Sequence, residues 1–493
     1  MAKLRQHPHL YQIHTLVWLS RLSARLGRPI RLADVPDSEW DAIAKMGFDI
    51  VWLMGVWKRS AVSRQLDLEN HPDQKTYEQV LPGWTPADVT GSPYAVAAYE
   101  PHAAIGSWAD IDTARAKLRQ RNMALFLDFV GNHTAFDHPW THDHPEYYVQ
   151  GTQEDHDKDP SGFYRVESVK GPVFIARGRD PYFPPWDDVA QLNHFSMEMR
   201  VAQMAELQKI AAHCDGVRCD MAMLQLSEIF EKIWRWRIGD AKEPEQEFWS
   251  AARAAVPDLI FLAEAYWGTE ARLMELGFSY VYDKEFYDSV RDERIGDIHW
   301  RLSAPISFQS RLARFMENHD EPRAATVFAN SRLIAAGTLM GTLPGMRFYL
   351  QGEELGARVR IPIELGNAIE EPPDPLRRDF FTKLFAATRQ DVFHDGEWSL
   401  LSASNEGDTT AGNLFAYEWR LKTAWKLIVV NLSPRPAEGR VHLNGGIDAS
   451  RNYNFVDALD GAKYVRPGSD LRQHGLFVKR EAYGAHLFDI TLA

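Results

Sequence analysis

The chain has 493 residues, 45% hydrophobic and 25% charged, which is too long for one ordinary core, so a large domain with at least one smaller companion is expected. The formal net charge of −13, from 55 Lys and Arg against 68 Asp and Glu, argues against nucleic acid as a partner, because counterion release needs clustered cations. No apolar stretch approaches bilayer length, so no membrane partner is expected either.

Residues 1–27 carry basic side chains, but their apolar run at 10–19 is interrupted by Gln12 and His14 and lacks a small-residue cleavage site, so it reads as a strand rather than a leader. Short runs rich in β-branched and aromatic residues then recur at 10–17, 49–54, 123–130, 215–220, 259–264, 278–282, 312–317 and 346–350. Segments of helical period lie between them at 37–46, 109–121, 196–213, 243–255 and 324–338. Such alternation builds a parallel sheet, and eight units are most economically an α/β fold of the (β/α)8 TIM-barrel kind, with its chemistry on the loops after the strands. One connection breaks the rhythm: 133–195, rich in Pro, Asp, His and aromatics (HPWTHDHPEYY, DPYFPPWDD), is too long for a plain loop. It is expected to be an inserted domain or lid after strand three, its aromatic content being unlike a disordered linker. Beyond 398, short alternating strands at 414–419, 425–431, 439–443, 476–478 and 486–490, with turns such as Asn444-Gly445-Gly446, predict a C-terminal antiparallel β-sandwich. The expected domains are therefore a barrel at 1–132 and 196–397, an insertion at 133–195 and a sandwich at 398–493.

Cys214 and Cys219 flank one expected strand and would stand roughly 16 Å apart on opposite faces, too far to bridge. Buried free thiols fit a reducing compartment, so a cytoplasmic location is expected.

The acidic residues matter by position. Asp128, Asn132 and His133 end strand three, Arg218 and Asp220 end strand four, Glu264 ends strand five, and Asn318, His319 and Asp320 end strand seven. Any one strand-end acid is usually a cap or an ion-pair partner; four clusters converging on one barrel face suggest a reaction centre. Arg218 and Asp220, two apart, project to the same side, and an adjacent guanidinium keeps a carboxylate ionised. An ordinary ion pair would leave the second acid, Glu264, unexplained. Two neighbouring carboxyls suit glycoside cleavage with retention, one attacking the anomeric carbon and the other protonating the leaving oxygen, then deprotonating water. The mostly apolar surroundings of Glu264 (FLA before it, AYW after it) raise its pKa and favour the acid form. The His133, His138, His142 and His144 cluster fits no zinc spacing and reads as loop histidines.

The segments FLDFVGNH, DGVRCDMA, FLAEAYW and FMENHDEPR, in this order, resemble the four recurrent motifs of the α-amylase family, also called glycoside hydrolase family 13. The insertion and the terminal sandwich resemble that family's domains B and C. The resemblance implies that Asp220 is the nucleophile, Glu264 the general acid/base and Asp320 the third carboxylate that stabilises the transition state. It also implies that Tyr94, His133, Arg218 and His319 bind the sugar or orient the nucleophile, with Asp128 supporting Arg218 structurally. Gln191-Leu192-Asn193 is similar to a further family motif of the form QPDLN.

Three departures bear on substrate. Met223 and Leu224 stand where starch-degrading members carry a Lys-His pair, Ala98 stands where many small-substrate α-glucosidases carry an Asp, and GSPYAVAAY is more similar to amylosucrase. The segment 352–362 is unlike the common starch-enzyme version. No metal and no cofactor are expected. The expected activity is that of a retaining α-glycosidase acting on small-molecule or oligosaccharide α-glucosides or short α-glucans. A transglycosylase, amylosucrase-like or glucanotransferase, is the alternative. A non-catalytic carbohydrate-binding module is a third reading, disfavoured because all three carboxylates are present. Nothing in the sequence indicates an oligomeric state.

Overall fold

The computed structural model describes residues 4–69, 71–405, 407 and 409–493; the first three residues of the segment read as having no leader lie outside the described residues. Eight parallel strands close a barrel: β1 (His9–His14), β2 (Ile50–Met54), β3 (Ala124–Phe129), β4 (Gly216–Cys219), β5 (Ile260–Ala263), β6 (Tyr280–Tyr282), β7 (Leu312–Arg314) and β8 (Met346–Leu350). Each pairs in register with its neighbours in sequence, and β8 closes on β1 through His9–Arg347 and Tyr11–Tyr349. Covered outside by helices and filled inside by side chains, such strands are buried on both faces and read as unbroken apolar runs; IVWLM of β2 is buried throughout.

The expected (β/α)8 architecture is present, with corrections to single elements. The run at 10–17 is a strand only to His14; α1 (Thr15–Leu26) follows at once and is closed by Gly27 in the left-handed region at φ 67°. The two periods share an apolar residue supply, but Leu16, Leu19 and Leu22 recur every third position and face inward as a helix. The segment at 243–255 becomes helical only at Phe248 (Phe248–Ala255), and a helix unrecognised in the sequence, Ser227–Ile238, precedes it. Its charged residues mask the stripe formed by Phe230 and Trp234, both buried. The helix expected over 324–338 is two, Ala324–Val327 and Ser331–Thr342, separated where Asn330 adopts φ 49°. The strand expected over 312–317 ends at Arg314, which leaves 315–320 as the loop that carries Asn318, His319 and Asp320.

Between β3 and β4, residues 133–195 form a two-stranded pairing of His133–Ala135 with Val189–Gln191 and a three-stranded sheet of Gln150–Gly151, Phe163–Ser168 and Gly171–Ala176. Phe163, Phe174 and Phe195 pack against Phe230 and Trp234, so the helix after β4 is the floor on which this segment rests. The C-terminal residues form an eight-stranded antiparallel sheet. Its strand Glu397–Ser404 pairs with Leu414–Leu421 along its first half and with Ala437–His442 along its last residues, so the sheet folds over one core that includes Leu401, Leu427, Val441 and Phe455. Among the described residues no helix is long and apolar enough to cross a membrane.

An aromatic seam helps attach the sheet to the barrel. Trp419 is fully buried, its indole N–H donates to Thr342 O at 2.7 Å, and Tyr417 Oη lies 2.6 Å from Thr342 Oγ1. Trp419→Ala removes a fully enclosed ring and is expected to cost about 3–5 kcal/mol. Urea unfolding followed by far-ultraviolet circular dichroism tests this; an unchanged midpoint would show that the seam contributes little.

Candidate active site

Everything at the barrel mouth is arranged around Arg218, on β4. Its guanidinium is fully buried and sits over three rings, 5.4 Å from Trp52, 5.3 Å from Tyr94 and 5.6 Å from Tyr282. These faces carry partial negative charge and accept a cation that has lost its water. Nε donates to Tyr282 Oη at 3.3 Å, and Nη1 donates to Asp220 Oδ1 at 2.5 Å. Nη2 lies 2.8 Å from Glu264 Oε2 in an ion-pair contact whose direction is off the hydrogen-bond line.

Asp220 and Glu264 are the first residues beyond β4 and β5. The Asp220 N–H donates to Phe129 O and the Glu264 N–H to Cys219 O, at 2.9 and 3.1 Å, so each extends the barrel ladder by one residue and is rigidly placed. The next residue, Met221, is turned into the left-handed region at φ 43°, which aims its N–H at Glu264 Oε2 at 2.6 Å. The Tyr266 hydroxyl donates to the other oxygen, Oε1, at 2.8 Å. Asp220 and Glu264 thus share the one Arg218 guanidinium, at 2.5 and 2.8 Å. Two carboxylates facing one cation disfavour each other's charge, and the Asp220 charge is among those that raise Glu264. Burial pushes Glu264 up to about 7, with Arg218 opposing and the Asp220 and Asp320 charges adding. Burial raises Asp220 as well, but Arg218 both faces it and donates to it, which favours its charged form.

Asp320 completes the group from the β7 loop. Asn318 Oδ1 accepts from the backbone N–H groups of Asp320 and Glu321 at 2.8 and 2.9 Å, which fixes the turn. Its side chain stays 43% exposed to the cleft, with Oδ2 3.1 Å from His319 Nε2. Enclosure by protein raises its pKa while Arg218 and Arg360 draw it down. His319 is held neutral because burial drives its pKa well below the ordinary value. The Gln12 side-chain amide donates to its Nδ1 at 2.7 Å, leaving the ring proton on Nε2, which faces Tyr94 Oη at 2.9 Å and Asp320. Tyr94 stacks on the His319 ring at 5.3 Å.

His133 sits with Nε2 3.9 Å from Asp220 Oδ2 and its ring against Trp186, and burial lowers its pKa to about 4. Asp128 stands opposite Arg218 in the β3–β4 register, but its oxygens accept from the Trp52 indole at 3.0 Å and the Gly55 N–H at 2.6 Å. It therefore holds the ring on which Arg218 rests, and acts on Arg218 directly only through charge. Burial pushes Asp128 up to about 6.

The structure thus brings Asp220, Glu264, Asp320, Arg218, His133, His319 and Tyr94 around one cleft, with Asp128 beneath. Gln12, Met221, Tyr266, Tyr282 and Arg360 belong to it too and were not singled out in the sequence. Gln12 had a visible signal, as a polar residue interrupting an apolar strand. Met221 had none, because it acts through its backbone. Arg360 donates to Asp320 O at 2.6 Å from the loop beyond β8. Met223 and Leu224 are fully buried in the turn after Asp220 and so present no polar group to the cleft. Gln191 bonds Asn132 O and Oδ1, both at 3.1 Å, locking the insertion's end to its beginning. His138 caps the short helix Pro139–Asp143, while His142 and His144 face solvent beside Asp143 and Glu146. Among the described residues no three His, Cys, Asp or Glu side chains are grouped to hold a metal ion.

No family model matches the chain. It is 26% identical over 312 residues to Alpha-amylase 3 of Dictyoglomus thermophilum, an alignment that covers 56% of this chain and 55% of that one. It is 26% identical over 252 residues to Alpha-1,4-glucan:maltose-1-phosphate maltosyltransferase 2 of Streptomyces coelicolor, covering 49% of this chain and 31% of the relative. The chain therefore spans about half the length of the first of these curated relatives and under a third of the second. In fold it is similar over the whole of both chains to the noncanonic maltogenic α-amylase AmyB of Thermotoga neapolitana, with a TM-score of 0.66 and 18% identity.

The raised Glu264 pKa has a consequence for stability. A carboxyl harder to ionise in the folded than in the unfolded chain contributes most below about 4.5, and that contribution is lost as pH rises through about 7. Glu264→Gln, which mimics the neutral acid, is expected to be more stable than the parent at pH 8 by up to roughly 3 kcal/mol, with the difference vanishing towards pH 4.5. Urea midpoints across that range test it; a constant difference would mean that Glu264 is not the buried acid.

Proposed function

We propose that this chain, an atypical member of the α-amylase family, cleaves α-glucosidic bonds with retention through a covalent glycosyl intermediate on Asp220. The observation that carries the reading is one buried guanidinium touching two carboxyls: Asp220, to which Arg218 donates a hydrogen bond that favours its charged form, and Glu264, pushed up to about 7. In the first step Asp220 attacks the anomeric carbon while Glu264 gives its proton to the glycosidic oxygen, and that C–O bond breaks. In the second, Glu264 takes a proton from water as its oxygen attacks the same carbon and frees Asp220. Asp320, open to the cleft, suits a hydrogen bond to ring hydroxyls as the sugar distorts, and Tyr94 with His133 and His319 suits the walls of that subsite.

The substrate class is α-glucosides or short α-glucans. In its support, Tyr182, Phe183 and Trp267 are exposed apolar rings beyond Glu264, and Tyr182 meets Trp267 edge to face at 5.1 Å. The two unpaired buried thiols support a cytoplasmic setting. A second reading, a transglycosylase on the same residues, is favoured by the likeness to a maltosyltransferase; it differs only in the acceptor of the second step.

Purified protein incubated with maltooligosaccharides, sucrose and trehalose is expected to release glucose or shorter glucans, with Asp220→Asn reduced by roughly 10⁴-fold or more. Products longer than the donor would select the transglycosylase. An Asp220→Asn variant as active as its parent would remove the assignment altogether.

A further inference from the structure

Glu264 has two unequal oxygens. Oε2 receives the Met221 N–H at 2.6 Å and lies 2.8 Å from Arg218 Nη2, so positive hydrogens already crowd it and a proton there would be repelled. Oε1 accepts from the hydroxyl of Tyr266 at 2.8 Å. A tyrosine hydroxyl both donates and accepts, unlike an N–H. The geometry points to Tyr266 as a positioning residue for Glu264: its hydroxyl marks Oε1 as the proton-carrying oxygen, donating to it when Glu264 is a carboxylate and accepting from it when Glu264 is an acid.

This inference rests on the reading of Glu264 as acid/base. When the Oε1 proton passes to the departing glycosidic oxygen, the electron pair of the broken C–O bond stays on that oxygen and a negative charge stays on Glu264. The Tyr266 O–H then turns to that charge and holds Oε1 in place until water returns a proton to it. The hydroxyl is well placed for this, because Tyr266 follows Glu264 by two residues and is partly buried, with desolvation and the Glu264 charge both holding its own proton on. Glu264 is also faced by Arg218 and Asp220 from β4, Tyr282 from β6 and Asp320 from the β7 loop. His133 and His319 feel its charge from two further loops and are neutral at working pH. Arg218 and Met221 meet Oε2 with N–H groups, which donate and cannot accept.

The test is a carbon-13 NMR titration of the Glu264 carboxyl without substrate, the resonance being assigned by its loss in Glu264→Gln. Removing a donor to the carboxylate in Tyr266→Phe is expected to move the midpoint upward by about 0.5–1 pH unit. The alkaline limb of kcat/KM on maltose is expected to move with it, kcat falling more than KM changes. Incorporating 3-fluorotyrosine at position 266, a stronger donor of the same shape, is expected to move the midpoint downward and serves if Tyr266→Phe does not fold. Equal midpoints in the parent and either variant would overturn the inference. Because the titration needs no turnover, absence of α-glucoside cleavage would count against the proposed function and leave this result standing.

Discussion

The structure of the barrel mouth depends on one compensated charge. Removing an ion from water costs several kcal/mol even after relaxation, and Arg218, Asp220 and Glu264 are all taken out of it. Each is tolerated because of the others. The guanidinium presents one nitrogen to each carboxyl and its face to Trp52, Tyr94 and Tyr282. One cation facing two carboxyls leaves an excess of negative charge, and that imbalance keeps a proton in the pair. The raised pKa of Glu264 therefore comes first from burial and then from the Asp220 and Asp320 charges, against the pull of Arg218.

The supporting parts follow from that demand. Asp128 accepts from Trp52 and Gly55, so the second strand holds the ring beneath Arg218. Gln12 fixes the tautomer of His319, which in turn meets Tyr94 and Asp320. Residues from all eight barrel strands or their loops thus take part in polar contacts at the mouth. Met221 takes a left-handed backbone to reach Glu264, the kind of local strain that persists where surrounding structure over-determines it.

Much of this was legible in the sequence, for a physical reason. A buried strand ending in a charged residue is costly, so Asp220, Glu264 and the Asn318-His319-Asp320 run stand out against their apolar neighbours. Spacing by two then put Arg218 beside Asp220 without further information. What stayed hidden acts through backbone or through distance. Met221 contributes an N–H that any residue has, and Tyr282 and Tyr266 look like ordinary core aromatics until the barrel closes. The helices were misread where apolar residues serve either period, as at Thr15–Leu26, or where one residue outside the helical region splits a continuous pattern, as Asn330 does. The departures at Met223 and Leu224 were visible as substitutions, and the fold adds that both side chains are enclosed.

Under the proposed mechanism Asp220 bonds covalently to the sugar while Glu264 manages the proton. Incubation with 5-fluoro-α-D-glucosyl fluoride, followed by intact mass and peptide mapping, tests it most directly. A single added glycosyl mass on the peptide containing Asp220 is the predicted result. A label on another carboxylate, or steady hydrolysis of this reagent with no label at any time, would contradict it.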